Sequence, residues 1–135
     1  MKKLFIFLLI FNLAYSQTYK GEITNFELVR VRDGDTFVVN IKNIPAVFGE
    51  EIAIRIRGID TPELDDSRKA IKDIAYKAKF ELETLLYSSK KIVLYNLGRD
   101  KYFRVLASVK ADDIDVGQYL IKKGLAKKYT GKKEW

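Results

Sequence analysis

No cysteine and no histidine occurs anywhere in the chain, and this double absence limits both how it can fold and what chemistry it can host. Without cysteine there is no disulfide or thiolate metal site to staple a small fold. A chain of 135 residues must then cohere by burying apolar surface in one core, and this length suits one domain. Hydrophobic residues at 47% and only two prolines are consistent with such a core and argue against disorder. Without histidine, a Ser-His-Asp triad, a histidine-ligated metal nuclease and a zinc hydrolase are excluded. Thiol nucleophiles go with cysteine. Carboxylates, guanidinium groups, lysine, tyrosine, hydroxyls and hard metal ions remain.

Residues 1–16 read as an address. Lys2 and Lys3 precede the apolar run Leu4 to Ala14, which is too short to span a bilayer. Ala14-Tyr15-Ser16 then offers a small-x-small cleavage site. A basic start, a short apolar core and such a site describe a secretory signal peptide. The expectation is a single mature domain over residues 17–135, secreted or periplasmic, monomeric, and free of the membrane after cleavage. An exported chain without disulfides depends on its core, and on any ion it binds, for stability.

Beyond the leader, Phe26–Val31 and Thr36–Ile41 are β-rich runs flanking Arg32-Asp33-Gly34-Asp35, and Asp-Gly is a tight-turn signal, so the two form a hairpin. Asn43 to Gly49 reads as a loop carrying Pro45. Ile52 to Arg57 alternates strictly, with Ile52, Ile54 and Ile56 on one face and Ala53, Arg55 and Arg57 on the other. Gly58 to Glu63 leaves this third strand as a loop. Ile71, Ile74, Ala75, Ala78, Leu82, Leu85 and Leu86 form one stripe at helical spacing, with Asp66 or Ser67 as expected cap. Tyr76, Phe80 and Tyr87 lie on the far side of that helix, where loops or chain ends are expected to cover them. Ile92–Leu97 and Val105–Lys110 are a fourth and fifth strand. Asp115 caps a short helix over Val116–Lys123, and Gly124 stops it. Five short strands with a long helix before the fourth predict an α+β fold: a five-stranded OB-type Greek-key β-barrel with one long and one short C-terminal helix.

Asp35 leaves the hairpin turn, and Asp60 and Glu63 flank a loop stiffened by Pro62. Carboxylates on two loops can converge on a hard cation, and without histidine or cysteine Ca²⁺ is the best candidate. Turn formation is the commoner reason for aspartate at such places, and spacing alone does not choose. Arg55 can be a surface ion pair or a phosphate fork. Arg99-Asp100-Lys101-Tyr102-Phe103-Arg104 mixes cations with aromatics, a pattern that suits a nucleic-acid backbone and equally a solvated loop. Lys122-Lys123, Lys127-Lys128 and Lys132-Lys133 read as a solvated face. The alternative for these lysine pairs is steering of polyanions, in a chain with 25 basic residues against 18 acidic ones.

These pieces occur in a recognisable order. From about Phe26 to Tyr129 the chain resembles the staphylococcal nuclease (thermonuclease-like) family. The matching segments are Val31-Arg32-Asp33-Gly34-Asp35-Thr36, Arg55-Ile56-Arg57-Gly58-Ile59-Asp60-Thr61-Pro62-Glu63, Asp100-Lys101-Tyr102-Phe103-Arg104 and Gly124-Leu125-Ala126. The resemblance implies a secreted Ca²⁺-dependent phosphodiesterase, an endonuclease acting on DNA and/or RNA. It implies that Asp35 and Asp60, with the backbone carbonyl of Thr61, hold the metal. Glu63 matches the general base, Arg55 and Arg104 the phosphate-binding arginines, and Lys101 and Tyr102 residues beside the nucleotide's phosphate. The alternative is a non-catalytic OB module that binds single-stranded nucleic acid. Two departures stand out. The family often has glycine where Phe103 stands, and Tyr129 only approximates the family's later aromatic near the base.

Overall fold

The computed structural model describes residues 17–135, and the expected leader at residues 1–16 lies outside them. Strands β1 (Phe26–Asp33) and β2 (Thr36–Ile41) form the predicted hairpin, closed by Gly34-Asp35 with Asp33 paired to Thr36. A single helical turn, α1 (Ala46–Gly49), follows Pro45 where a loop was expected; the fixed proline φ, −53° here, starts the chain toward helix. Strand β3 (Ile52–Ile56) pairs antiparallel with β2, and the short β4 is Ile59–Asp60. Helix α2 runs Lys69–Ser88, then β5 (Ile92–Arg99), β6 (Val105–Ala111), β7 (Ile114–Asp115), α3 (Val116–Lys122) and β8 (Lys127–Lys128).

The five long strands lie in the order β1-β2-β3-β6-β5. Every pairing along this path is antiparallel except β3–β6. This is the OB-type arrangement. Its β1 and β5 edges do not form a ladder with each other. Instead the segment before β1 reaches β5 through bridges at Tyr19–Leu97 and Ile23–Leu94, with Ile23 N–H donating to Leu94 O at 2.9 Å. The β5 edge is thereby covered rather than left as an open template.

One core fills the curved sheet. Phe37, Val39, Ile54, Ile56, Leu94 and Val109 pack from the strands against Ala78, Leu82 and Leu86 of α2 and Leu120 of α3. Ile54 and Ile56 are buried as the alternation of β3 predicts, and that same alternation sends Arg55 to the other face. The α2 stripe behaves as its spacing requires, with Ala75, Ala78, Leu82 and Leu86 buried. Tyr76, Phe80 and Tyr87 remain exposed rather than covered, because the core packs against the opposite face of α2; the Tyr87 hydroxyl reaches β1, donating to Val29 O at 3.4 Å. No helix among the described residues is long and apolar enough to cross a membrane.

Two cap expectations separate by locality. Asp115 Oδ1 accepts from Gln118 N–H at 2.9 Å and starts α3 as expected, and Gly124 ends it at a φ of +70°. Helix α2 begins later than Asp66 and Ser67 suggested. Its N-cap is Arg68, with no side-chain cap, while the Asp66 carboxylate takes the Arg68 N–H and guanidinium.

Gly34 is required by close approach. A Cβ there would lie 2.6 Å from the Ala78 Cβ and 3.0 Å from both Thr61 Cγ2 and Oγ1. The hairpin tip can touch both α2 and the β4 loop only without a side chain. Gly34→Ala is expected to destabilise the protein by about 1–3 kcal/mol, read as a lowered midpoint in urea denaturation; an unchanged midpoint would show that α2 yields freely.

Candidate active site

Three neighbouring stretches build the site: the exit of the β1–β2 turn, the outer face of β3, and β4 with the loop after it. Arg55 organises them. Its Nη1 donates to Ile56 O at 2.9 Å and to Ile59 O at 2.8 Å. Its Nη2 lies 3.3 Å from Asp35 Oδ2 and 3.5 Å from Asp60 Oδ1. All three side chains are largely buried, at 13%, 9% and 11% exposure. A buried guanidinium is tolerable only when its donors are met, and here carbonyls and carboxylates meet them. Thr36, paired with Arg55 across β2–β3, donates its hydroxyl to Asp35 Oδ1 at 2.9 Å. Thr61 donates both its N–H and its Oγ1–H to Asp35 Oδ2, each at 3.0 Å. The strand placement of Arg55 and the Asp60-Thr61 loop thus bring Asp35, Arg55, Asp60 and Thr61 together.

Glu63 stands apart. Its side chain is 56% exposed and pairs with Lys133 Nζ at 3.1 Å. The neighbouring carboxylate raises the Lys133 amine above its ordinary value. Lys133 is therefore an ion-pair partner of Glu63 while its side chain stays on the solvated face, as expected. Arg104, Lys101 and Tyr102 form a second cluster in the β5–β6 loop. Arg104 Nε donates to Asp100 Oδ2 at 2.6 Å, and Arg104 N–H to Asp100 Oδ1 at 3.0 Å. The Arg104 guanidinium carbon and the Lys101 Nζ lie 5.3 and 5.1 Å from the Tyr102 ring centroid. Among the described residues no hydrogen bond or ion pair joins this cluster to Arg55. The β3–β6 register nonetheless sets Arg104 one residue before Val105, which faces Ile54, so the loop borders the Arg55 strand. Phe103 has a φ of +61° and a largely exposed side chain. A left-handed conformation is what glycine adopts most easily, which accounts for glycine being favoured there.

The donor set fits a hard cation. Asp35 Oδ2 and Asp60 Oδ1 both approach the same guanidinium nitrogen, so two carboxylates already face a single positive centre. Asp33 adds a third acid beside them. Burial, and next the charge of Asp35, raise its carboxyl from 3.8 to about 6, against the Asp35 N–H that donates to Asp33 Oδ1. Asp35 and Asp60 share one guanidinium, so two negative charges face one positive one. Among the described residues no three acidic side chains gather closely enough to hold a metal alone; two carboxylates, a backbone carbonyl and water would complete an oxygen shell for Ca²⁺ or Mg²⁺.

Three contributors escaped the sequence reading. Asp33 lies in the quoted turn, and its sign was the Asp-Gly-Asp spacing, which brings both carboxylates to one hairpin tip. Glu134 and Trp135 had no local sign. Yet Glu134 N–H donates to Asp60 Oδ2, and Trp135 Nε1–H to Asp60 O, each at 2.9 Å.

Comparison with known proteins gives the chain's family. Residues 53–134 match the model of the Staphylococcal nuclease homologue family, and the chain belongs to that family. It is 33% identical over 108 residues to Endonuclease YncB of Bacillus subtilis, covering 78% of this chain and 48% of that protein. It is 31% identical over 127 residues to Probable endonuclease C19F8.04c of Schizosaccharomyces pombe, covering 77% of this chain and 55% of that protein. SPbeta prophage-derived endonuclease YokF of Bacillus subtilis is 33% identical over 108 residues, 78% of this chain and 34% of that protein. The chain thus spans between about a third and just over half of these relatives.

The Asp33 carboxyl binds its proton more tightly folded than unfolded. Its contribution is therefore present below about pH 4 and is lost as the pH rises through 6. That loss is on the order of 1–3 kcal/mol. In the presence of chelator, Asp33→Asn is expected to raise the melting temperature at pH 8 and to leave it unchanged near pH 4. An equal change at both values in thermal melts would refute the assignment.

Proposed function

We propose that the protein is an exported, calcium-dependent nuclease that hydrolyses phosphodiester bonds in DNA and/or RNA. The single observation that carries this reading is the Arg55 guanidinium between the Asp35 and Asp60 carboxylates, with Glu63 three residues beyond Asp60. Family membership and relatives named as endonucleases support it. The basic, then apolar opening of the chain supports export.

Asp35, Asp60 and the Thr61 carbonyl are the residues that would hold Ca²⁺. When bound, Ca²⁺ supplies positive charge beside a phosphate oxygen. Arg55 keeps Nη1 on the Ile56 and Ile59 carbonyls, so its plane stays fixed while Nη2 faces the site as a phosphate donor. Arg104 spends Nε on Asp100, leaving both Nη groups directed by that anchor toward a second phosphate oxygen. Such preset donors stabilise the extra charge of a five-coordinate phosphorus without reorganising. Glu63, exposed and paired among the described residues with Lys133, is the carboxylate that reaches a water and accepts its proton as the water attacks phosphorus and the P–O bond to the leaving oxygen breaks. Lys101 and Tyr102 flank the phosphate path.

Purified protein mixed with plasmid or RNA and Ca²⁺ is expected to cleave, with cleavage abolished by EGTA. Glu63→Ala is expected to keep the fold by circular dichroism and to lose on the order of 10²-fold in rate, about 3 kcal/mol of barrier. A gel shift with no cleavage in saturating Ca²⁺ would instead identify a binding module, and an undiminished Glu63→Ala rate would remove Glu63 as base.

A further inference from the structure

The two carboxylates that face Arg55 are held in different ways. Asp35 accepts three hydrogen bonds, all from Thr36 and Thr61 beside it. Asp60 accepts one at its carboxylate: the Glu134 N–H on Oδ2 at 2.9 Å. Among the described residues no other hydrogen bond reaches that carboxylate, and Arg55 meets its other oxygen only as an ion pair at 3.5 Å. The donor lies 74 residues along the chain. The next residue, Trp135, donates its indole Nε1–H to the Asp60 backbone carbonyl at 2.9 Å, so Asp60 is gripped at both its side chain and its main chain.

The grip has its own anchor. Lys127 pairs with Asp60 across the β4–β8 ladder. Its Nζ lies 4.1 Å from the Trp135 ring centroid and donates to Glu134 O at 2.8 Å. Thr130 Oγ1 also hydrogen-bonds Glu134 Oε1. Residues 127–135 thus form a closed hook that begins on Asp60 and returns to it.

We propose that Glu134 and Trp135 are positioning residues: they fix the rotation of the Asp60 carboxylate so that Oδ1 faces Asp35, and they thereby set the affinity of the site for a divalent cation. This rests on the calcium reading above. With Oδ2 engaged by the Glu134 N–H, the carboxylate presents Oδ1 as its metal-facing oxygen. Without that bond the longer Arg55 ion pair is left to orient it, and ordering it becomes part of the binding free energy. Groups that orient a metal carboxylate typically change metal affinity by 10- to 100-fold when removed.

The test is Ca²⁺ affinity by isothermal titration calorimetry on the full chain, with no nucleic acid present. Glu134→Pro deletes the N–H, and Glu134→Ala keeps it. Trp135→Phe deletes only the indole donor and retains a ring for Lys127. Glu134→Pro is expected to weaken Ca²⁺ binding at least tenfold and Trp135→Phe severalfold, with Glu134→Ala close to wild type and circular dichroism unchanged throughout. Trp135 is the single tryptophan, so its emission is expected to shift as Ca²⁺ fills the site. Equal affinity in Glu134→Pro and Glu134→Ala, with wild type binding normally, overturns the positioning role alone. Tighter binding in Glu134→Pro also overturns it and marks the hook as an obstruction. Wild type that takes up no Ca²⁺ removes the metal reading and this inference with it.

Discussion

A single buried guanidinium ties the functional half of the molecule together. Arg55 reaches two main-chain carbonyls of the β3–β4 connection and two carboxylates from separate loops. Each of those groups would be costly to bury alone. Together they form a compact polar centre on the outer face of β3, with the apolar core directly behind at Ile54 and Ile56. The same alternation that builds the core therefore delivers the arginine. Asp35 adds a second tie, because the Thr61 N–H and hydroxyl on its Oδ2 fasten the hairpin exit to the loop after β4.

What was legible in the sequence was what local pattern controls. The hairpin, the alternating β3, the apolar stripe of α2 and the Asp115 cap depend on neighbours one to four residues away, and each is present in the structure. The convergence of Asp35, Arg55, Asp60 and Thr61 was legible only as a motif order, since its geometry comes from the β2–β3 register. The grip of Glu134 and Trp135 on Asp60 was not legible at all. It joins groups 74 and 75 residues apart, and nothing in Lys132-Lys133-Glu134-Trp135 announces a main-chain donor. The exposed Tyr76, Phe80 and Tyr87 were misjudged for a related reason: periodicity says which face of a helix is apolar, but not whether later chain passes over it.

Charge explains why the acidic cluster is stable enough to exist. Asp35 and Asp60 share one guanidinium, and Asp33 beside Asp35 is pushed up to about 6, by burial first and by the Asp35 charge second. The centre therefore lowers its own repulsion by holding a proton at its edge when pH allows. A bound divalent cation would relieve the same repulsion at higher pH. Two carboxylates that share one guanidinium are the arrangement that would attract a hard cation.

The second arginine is prepared by opposite means. Arg104 sits in a loop rather than on a strand, and its order comes from Asp100. That carboxylate accepts from the N–H of Tyr102, the N–H of Arg104 and the Arg104 guanidinium. Main-chain bonds between Asp100 and both Phe103 and Arg104 close the same turn. This turn is tight enough to force Phe103 to a positive φ, a conformation that costs a side-chain-bearing residue on the order of 1 kcal/mol. The loop accepts that strain because the turn's bonds run to Arg104 on the far side of it. One arginine is thus rigid through burial and the other through a strained, hydrogen-bonded turn at the surface. Two cations are held in place by separate means, one on the outer face of β3 and one in the β5–β6 loop that borders that strand through the β3–β6 register.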